Sequence, residues 1–284
     1  MKNFIIKFFI FILLIVIGIL IYGSFVEPSW FKTDEYNIVN DNITDEMDGL
    51  KIVHISDIHY GTTINNKLLK KIVDEINLIK PDILVFTGDL FDSYVSLHDE
   101  DYQDIITNLS NIKTTNGKYA IYGDMDDKDK WNSVMNASDF TDLNDTSKLI
   151  FNGTSTPIII SGISSNSGIE DIIEKNRTIT SYIEELEIKP SYSILLMHEP
   201  DYVDTIDLTN YDLVLAGHSL GGLYIPFVGY KGLPSYATKY YNGEYKIGDS
   251  KLFVSTGIGT DKTKFRFMNR PSINLYRLIK GNTN

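Results

Sequence analysis

The sequence predicts a layered α/β domain preceded by one transmembrane helix. Three observations lead there: an uncharged apolar run near the N-terminus, an early alternation of strands and helices, and a later series of short apolar strands. A chain of 284 residues can bury a substantial core as one large domain or two small ones.

Residues 1–26 read as a membrane anchor. From Phe8 to Val26 the run "FFIFILLIVIGILIYGSFV" carries no charge, and about 20 such residues cross a bilayer as helix. Lys2 and Lys7 precede it, while Glu27 and Pro28 follow. Positive charge stays cytoplasmic, so the expected topology is a single pass in the cell membrane, N-terminus inside and the remainder extracytoplasmic. A cleaved signal peptide is the rival reading. Against it stand the length of the run and Tyr22, which spoils the nearest small-x-small site around Gly23 and Ser24.

Residues 27–48 are polar and mixed, as suits a stalk leading into an edge strand, and residues 49–284 form the domain. "LKIVHISD" (Leu50 to Asp57) reads as a buried strand. Residues 67–80 place Leu68, Ile72, Val73, Ile76 and Ile79 on one helical face, and Pro81 stops that helix. "DILVFTGD" is the next strand, and a helix near 100–112 leads to "KYAIYGD". Later strands are expected at "TPIIISGI", "YSILLMH", "YDLVLAGH", "KLFVSTGIG" and "SINLYRLI", completing a mixed sheet through hairpins. There is no internal repeat, and no low-complexity segment outside the apolar run.

Composition excludes several functions. With no cysteine, the chain forms no disulfide, thiolate metal site or cysteine nucleophile. Setting Lys2 and Lys7 aside leaves 24 basic against 38 acidic side chains, a formal charge of −14, which argues against a nucleic-acid partner. An acidic protein that handles phosphate needs local positive charge, and metal ions provide it.

Successive strands end in residues of metal-ligand type. Asp57 and His59 lie in "SDIHYG", Asp89 and Asp92 in "GDLFD", Asp124 and Asp126 in "GDMD", His198 in "LLMHEP" and His218 in "LAGHSLGG". Side chains at strand C-termini project into one crevice, where open α/β sheets bind ligands. Carboxylates with imidazoles suit Mn, Fe or Zn. Each motif alone is weak, since a strand-end aspartate commonly caps a helix or a turn. Their succession, each after an apolar strand, is the signal.

With these motifs, the "GLKIVHISDIHYG" opening and the closing "RFMNRPSINLYRL", the chain resembles the calcineurin-like metallophosphoesterases. The likeness is to a compact, membrane-anchored bacterial branch related to lipid-directed phosphoesterases, and it covers nearly all of residues 48–280. It implies a four-layer αββα sandwich and two divalent metal ions about 3.5–4 Å apart, clamping the attacking and leaving oxygens. By motif, Asp57, His59 and a bridging Asp89 would hold the first ion. Asp124, His198 and His218 would hold the second. Asp92 would orient a ligand imidazole, and Asp126 would stand behind the ligands.

Two positions depart from the family pattern. The third motif usually reads glycine, asparagine, histidine, acid; here Asp124 replaces the asparagine and Met125 the histidine that assists the leaving group. A thioether donates no proton, and lost general-acid help removes about 10²–10⁴ in rate. In the fifth motif Leu220 stands where a second histidine binds the first ion, so that site should be the weaker. Three readings stay open: a slower phosphoesterase for substrates with good leaving groups, an enzyme with one tight and one weak metal, or a non-catalytic domain that binds metal and phosphate.

Other candidates have plainer readings. His54 is out of phase with Asp57 and suits a core or interlayer position. His98, in "SLHDEDYQD", suits a solvated loop, though it could substitute for the missing acid. Ser219 in "GHSLGG" has the spacing of a nucleophile elbow, yet no histidine follows His218 to complete a triad. Lys262, Lys264, Arg266 and Arg270 suit ordinary surface charge, with lipid headgroups or a cap over the site as alternatives. The leading expectation is an anchored phosphoesterase acting on a phosphorylated small molecule or lipid through a metal-activated hydroxide. A regulatory or binding domain on the same scaffold is the alternative.

Overall fold

A computed structural model describes residues 2–92, 94–165, 168–225 and 228–281. The N-terminal helix α1 (Lys2–Ile21) runs on through a π-type turn at Tyr22–Val26 and a 3₁₀ turn at Glu27–Ser29. This helical stretch is long and apolar enough to cross a membrane, and α1 itself buries no residue against the domain.

β1 (Lys32–Asn40), β2 (Lys51–Ile55), α2 (Asn66–Ile79), β3 (Ile83–Phe86), α3 (Asp99–Ser110), β4 (Lys118–Ala120), α4 (Lys128–Ala137) and β5 (Thr141–Asp142) build the first half. β6 (Thr146–Ile150), β7 (Ile158–Gly162), α5 (Ile169–Glu185), β8 (Tyr192–Leu196), β9 (Leu213–Ala216), the hairpin β10 (Leu223–Ile225) and β11 (Gly229–Lys231), β12 (Gly243–Ile247), β13 (Ser250–Val254) and β14 (Ser272–Lys280) complete it.

Residue patterning predicts one mixed sheet, whereas the structure has two of six strands. Their orders are β1-β14-β2-β3-β4-β5 and β12-β13-β9-β8-β7-β6. The returning β14 inserts antiparallel to β2 and parallel to β1, so the last strand closes the first sheet. The parallel runs β2-β3-β4 and β9-β8-β7 carry near-continuous apolar residues because both of their faces are covered.

Three apolar clusters define four layers. Ile72, Leu84, Trp131 and Val134 lie between the first sheet and α2, α3 and α4. Ile52, Val85, Ile160, Leu215 and Phe253 lie between the two sheets. Ile159, Ile172, Ile179 and Val214 lie between the second sheet and α5. This is the αββα sandwich. α2 starts at Asn65, whose side chain accepts from Leu68 N–H at 3.1 Å, and stops at Lys80 in left-handed backbone before Pro81. Helices α4 and α5 were not expected from the sequence.

Candidate metal centre

The C-termini of β2, β3 and β4 in one sheet, and of β8 and β9 in the other, point to one crevice. The chain turns there through left-handed backbone at Asp57 (φ 52°), His59 (φ 45°), Asp89 (φ 59°) and His218 (φ 67°). Non-glycine residues in this region cost about 1–3 kcal/mol each and persist only where the surroundings hold them. Here Asp57 N–H donates to Gly88 O at 2.9 Å and His59 N–H to Asp89 O at 3.0 Å. His218 N–H donates to both Asp57 oxygens, at 3.0 and 3.1 Å, tying the two sheets' loops together. Gly88 and Gly123 make the approach possible: a Cβ on Gly88 would stand 2.3 Å from Gly123 N, and one on Gly123 2.1 Å from Asp89 Oδ1.

The predicted residues form two clusters joined at Asp89: Asp57, His59 and Asp89, and Asp89, Asp124, His198 and His218. His198 Nε2 lies 3.2 Å from Asp89 Oδ2 and 3.2 Å from Asp124 Oδ1. His218 Nδ1 is 3.2 Å from Asp124 Oδ1, and His59 Nε2 is 3.6 Å from Asp89 Oδ2. Buried His59 Nδ1, Asp92 Oδ2, Asp124 Oδ1 and His198 Nε2 lack hydrogen-bond partners. Polar atoms left so, converging as carboxylates and imidazoles, fit divalent cations.

The far sides of the imidazoles are fixed. His198 Nδ1–H donates to Thr87 O at 2.6 Å and His218 Nε2–H to Ser235 O at 2.8 Å, turning the other nitrogen of each ring toward the crevice. His59 Nδ1 faces Asp92 Oδ2 at 3.8 Å. Asp126 is no ligand. Its carboxylate accepts from the N–H groups of Asp89 (2.9 Å), Leu90 (2.9 Å), Phe91 (3.1 Å) and Gly123 (2.9 Å), pinning two ligand loops together. Asp89 Oδ1 also accepts from Met125 N–H at 3.0 Å.

Electrostatics match this arrangement. Burial lowers the proton affinity of His198, but Asp89 and Asp124 outweigh it and hold the imidazole well above its usual range. Burial alone would raise Asp124, yet His198 and His218 keep it far below the ordinary carboxylate value. Burial raises Asp57. A cluster this rich in buried carboxylate needs cations, supplied by protons on the imidazoles or by metal.

His54, the interlayer histidine, backs the first cluster. The Thr87 hydroxyl donates to Ser56 Oγ at 2.9 Å and so accepts from His54 Nε2–H at 2.8 Å. Ser56 in turn hydrogen-bonds Asp57. His98 is exposed at the start of α3, where its N–H donates to Asp101 at 2.9 Å, away from the crevice. Ser219 is buried and donates to Ser255 O at 3.1 Å, as a loop brace.

Arg266 corrects an expectation. It is 3% exposed, not surface charge. Its guanidinium donates to Gly259 O, Thr256 O (2.8 Å), Gly257 O (3.3 Å), Asn269 O (3.3 Å) and Leu220 O (3.4 Å), and burial draws it down to about 10. Its apolar neighbours in sequence gave little sign that a cation would serve as a loop clamp. Lys262 Nζ lies over the Tyr94 ring at 3.2 Å, Lys264 is exposed, and Arg270 donates to Trp30 O at 2.8 Å and Phe31 O at 3.0 Å.

A cavity of about 630 Å³ opens over the clusters. His59, Asp89, Asp124 and His218 reach it, and so do Met125 and Leu220. Leu220 has φ 47°, the left-handed backbone that the neighbouring ligands share. Leu20 of α1 lines the same cavity, which nothing in the sequence had indicated.

A four-layer α/β scaffold whose strand ends hold two carboxylate–imidazole clusters around a shared aspartate defines a two-metal class of site. The family model for calcineurin-like phosphoesterase matches residues 50–222, a span holding every one of these candidate ligands. The chain belongs to that family, whose members use a dinuclear metal centre. It is 31% identical over 269 residues to the uncharacterized metallophosphoesterase YkuE of Bacillus subtilis, covering 92% of this chain and 90% of YkuE. A transmembrane protein with metallophosphoesterase domain from Danio rerio is 24% identical over 274 residues, 92% of this chain and 60% of that protein. Phosphodiesterase YaeI of Escherichia coli is 23% identical over 279 residues, 91% and 92% of the two chains. The chain spans 60–63% of the length of several other curated relatives.

Proposed function

We propose that this chain is a metal-dependent phosphoesterase that hydrolyses a phosphomono- or diester, held at the cell membrane by α1 with its N-terminus inside and its domain extracytoplasmic. The observation that carries the reading is Asp89, whose carboxylate belongs to both clusters and so sets two cation positions side by side. The phosphodiesterase name of YaeI supports the reaction type, and the name of the Danio rerio relative supports the anchor.

When bound, two divalent ions (Mn, Fe or Zn) supply a nucleophile at neutral pH and neutralise charge growing on the phosphoryl group. The residues do the rest. Asp57, His59 and Asp89 hold one position, and Asp89, Asp124, His198 and His218 the other. Thr87 O and Ser235 O keep His198 and His218 in the tautomers that present a lone pair. Asp126 holds the Asp89 and Gly123 loops in register. Beside Asp124, Met125 offers no proton, so the leaving group departs without one from that position. Esters of acidic alcohols are the substrates such a site turns over best, and a lipid-linked or envelope phosphoester is the source its location favours.

The test is purification of the full chain in nanodiscs, measurement of bound metal, and assay of phosphomono- and diesters with added Mn. Turnover that disappears in Asp89→Asn supports the reading. The apolar side chains of Met125 and Leu220 favour a second reading, a metal- and phosphate-binding domain without catalysis. Its signature is metal binding without turnover on any substrate, together with activity that appears in Met125→His/Leu220→His.

A further inference from the structure

The cavity combines surfaces that a water-soluble phosphoester would not need. Its floor holds His59, Asp89, Asp124 and His218, while Leu20, Met125, Leu220, Leu223, Pro234 and Phe265 form apolar wall. Two of these, Met125 and Leu220, are the positions where the family resemblance implies histidine. Both departures therefore turn polar surface into apolar surface around one cavity, and the helix adds Leu20 beside them.

The placement of Leu20 matters. The uncharged run from Phe8 to Val26 makes roughly 29 Å of helix, which matches the hydrocarbon core of a bilayer. Leu20 stands six residues before its end, in the outer part of the hydrocarbon, where a lipid's acyl chain lies just beneath its phosphate headgroup. The contact is built, not incidental. Gly23 packs so tightly that a Cβ would lie 2.4 Å from the Phe265 ring, and Arg266 N–H donates to Gly23 O at 2.9 Å. Glu27, 1% exposed, accepts from Met268 N–H at 3.0 Å and from Asn269 N–H. Around this junction Phe25, Trp30 and Met268 are exposed, with Arg270 4.2 Å over the Trp30 ring. Aromatic, apolar and cationic side chains together are the composition of a membrane interface.

We propose that the cavity takes an amphiphile resident in the membrane: its phosphoester lies over the metal clusters and its hydrocarbon tail lies along the wall formed by Leu20, Met125, Leu220 and Leu223. α1 is then part of the substrate site as well as an anchor. This rests on the phosphoesterase reading of the same site and adds the class of substrate.

Because the chain has no cysteine, single labels report binding without background. Leu20→Cys and Leu223→Cys, each in the full chain in nanodiscs with Mn, are reacted with a thiol probe. Monoalkyl phosphates of two to ten carbons are the competitors, and Phe9→Cys, exposed higher on α1, is the control. The expected result is protection at positions 20 and 223, with half-protecting concentration falling about fourfold per added methylene, and none at position 9. Alkanols of equal length test whether the phosphate is needed, and they should protect far less. Equal protection by ethyl and decyl phosphate overturns the proposal while leaving the metal centre standing. Equal protection at position 9 also overturns it, since the competitor then acts through the bilayer. Protein that binds no Mn, measured before labelling, overturns the phosphoesterase reading itself.

Discussion

The two clusters share Asp89 and differ in what stands behind them. The Asp124–His198–His218 half is braced by main-chain carbonyls, Thr87 O and Ser235 O, which do not titrate. The Asp57–His59 half leans more on side chains: Asp92 beside His59, and the Ser56–Thr87–His54 chain behind Asp57, in addition to the His218 N–H that holds the Asp57 carboxylate. It also has three candidate ligands where its neighbour has four. A shared bridge with unequal support predicts one tight ion position and one adjustable one.

The largest test of that asymmetry removes the bridge. Asp89→Asn should release both ions and bring phosphoester turnover to the assay floor, read by metal analysis and kinetics on the same preparation. Next, Asp92→Ala should loosen only the first half by about 10–100-fold. A chelator titration would then show two steps, with the weaker one shifted and the stronger unchanged; equal shifts would erase the distinction between the halves. In the opposite direction, Leu220→His should tighten the weaker step by roughly tenfold, because an imidazole there gives the first half a ligand number closer to the second's. Histidine also tolerates left-handed backbone better than leucine does, so folding should not suffer; unchanged chelation would show that position 220 does not face the ion.

A separate test, of folding stability and not of metal affinity, concerns His54. Burial lowers it to about 3, so it is neutral in the fold and charges more readily in the unfolded chain. Its folded value is depressed. Stability is therefore complete above the unfolded value near 6.5 and declines as pH falls toward 3, by about 1.4 kcal/mol per pH unit at most. His54→Phe should flatten that decline in denaturant titrations between pH 6.5 and 4.5, and an identical slope in the variant would place the acid sensitivity elsewhere.

How much of this was written in the sequence differs between the same regions. The ligands were legible because each follows an apolar strand, and parallel strands deliver their C-termini to one edge. β2, β3, β8 and β9 show this directly. Helix α5 was harder to see: buried Asn176 interrupts its stripe of Ile172, Ile179 and Ile183, accepting from the Tyr211 hydroxyl at 3.2 Å and donating to Asp207 O at 3.0 Å. Patterning hid the second sheet too, since it reports burial and not which partner covers each face; only the family resemblance implied it. Arg266 and Leu20 were invisible for a related reason. The cation's carbonyl partners lie 3 to 46 residues away in loops whose folding no periodicity reports, and Leu20 meets the site through cavity neighbours such as Leu223 and Phe265, more than 200 residues further along the chain.

The polar segment after the helix has one more consequence. It reads as a stalk leading into an edge strand; β1 stands at the edge of the first sheet and pairs with β14 along all nine of its residues, from Lys32↔Ser272 to Asn40↔Lys280. The short link before it is bonded to the 266–271 loop. No slack remains between helix and sheet. With the helix in a bilayer, such a protein does not sweep the surrounding water on a tether. With the membrane-resident substrate proposed above, it would search by lateral diffusion at a fixed height, and its rate would follow the number of substrate molecules per unit area of membrane, falling when inert lipid dilutes them.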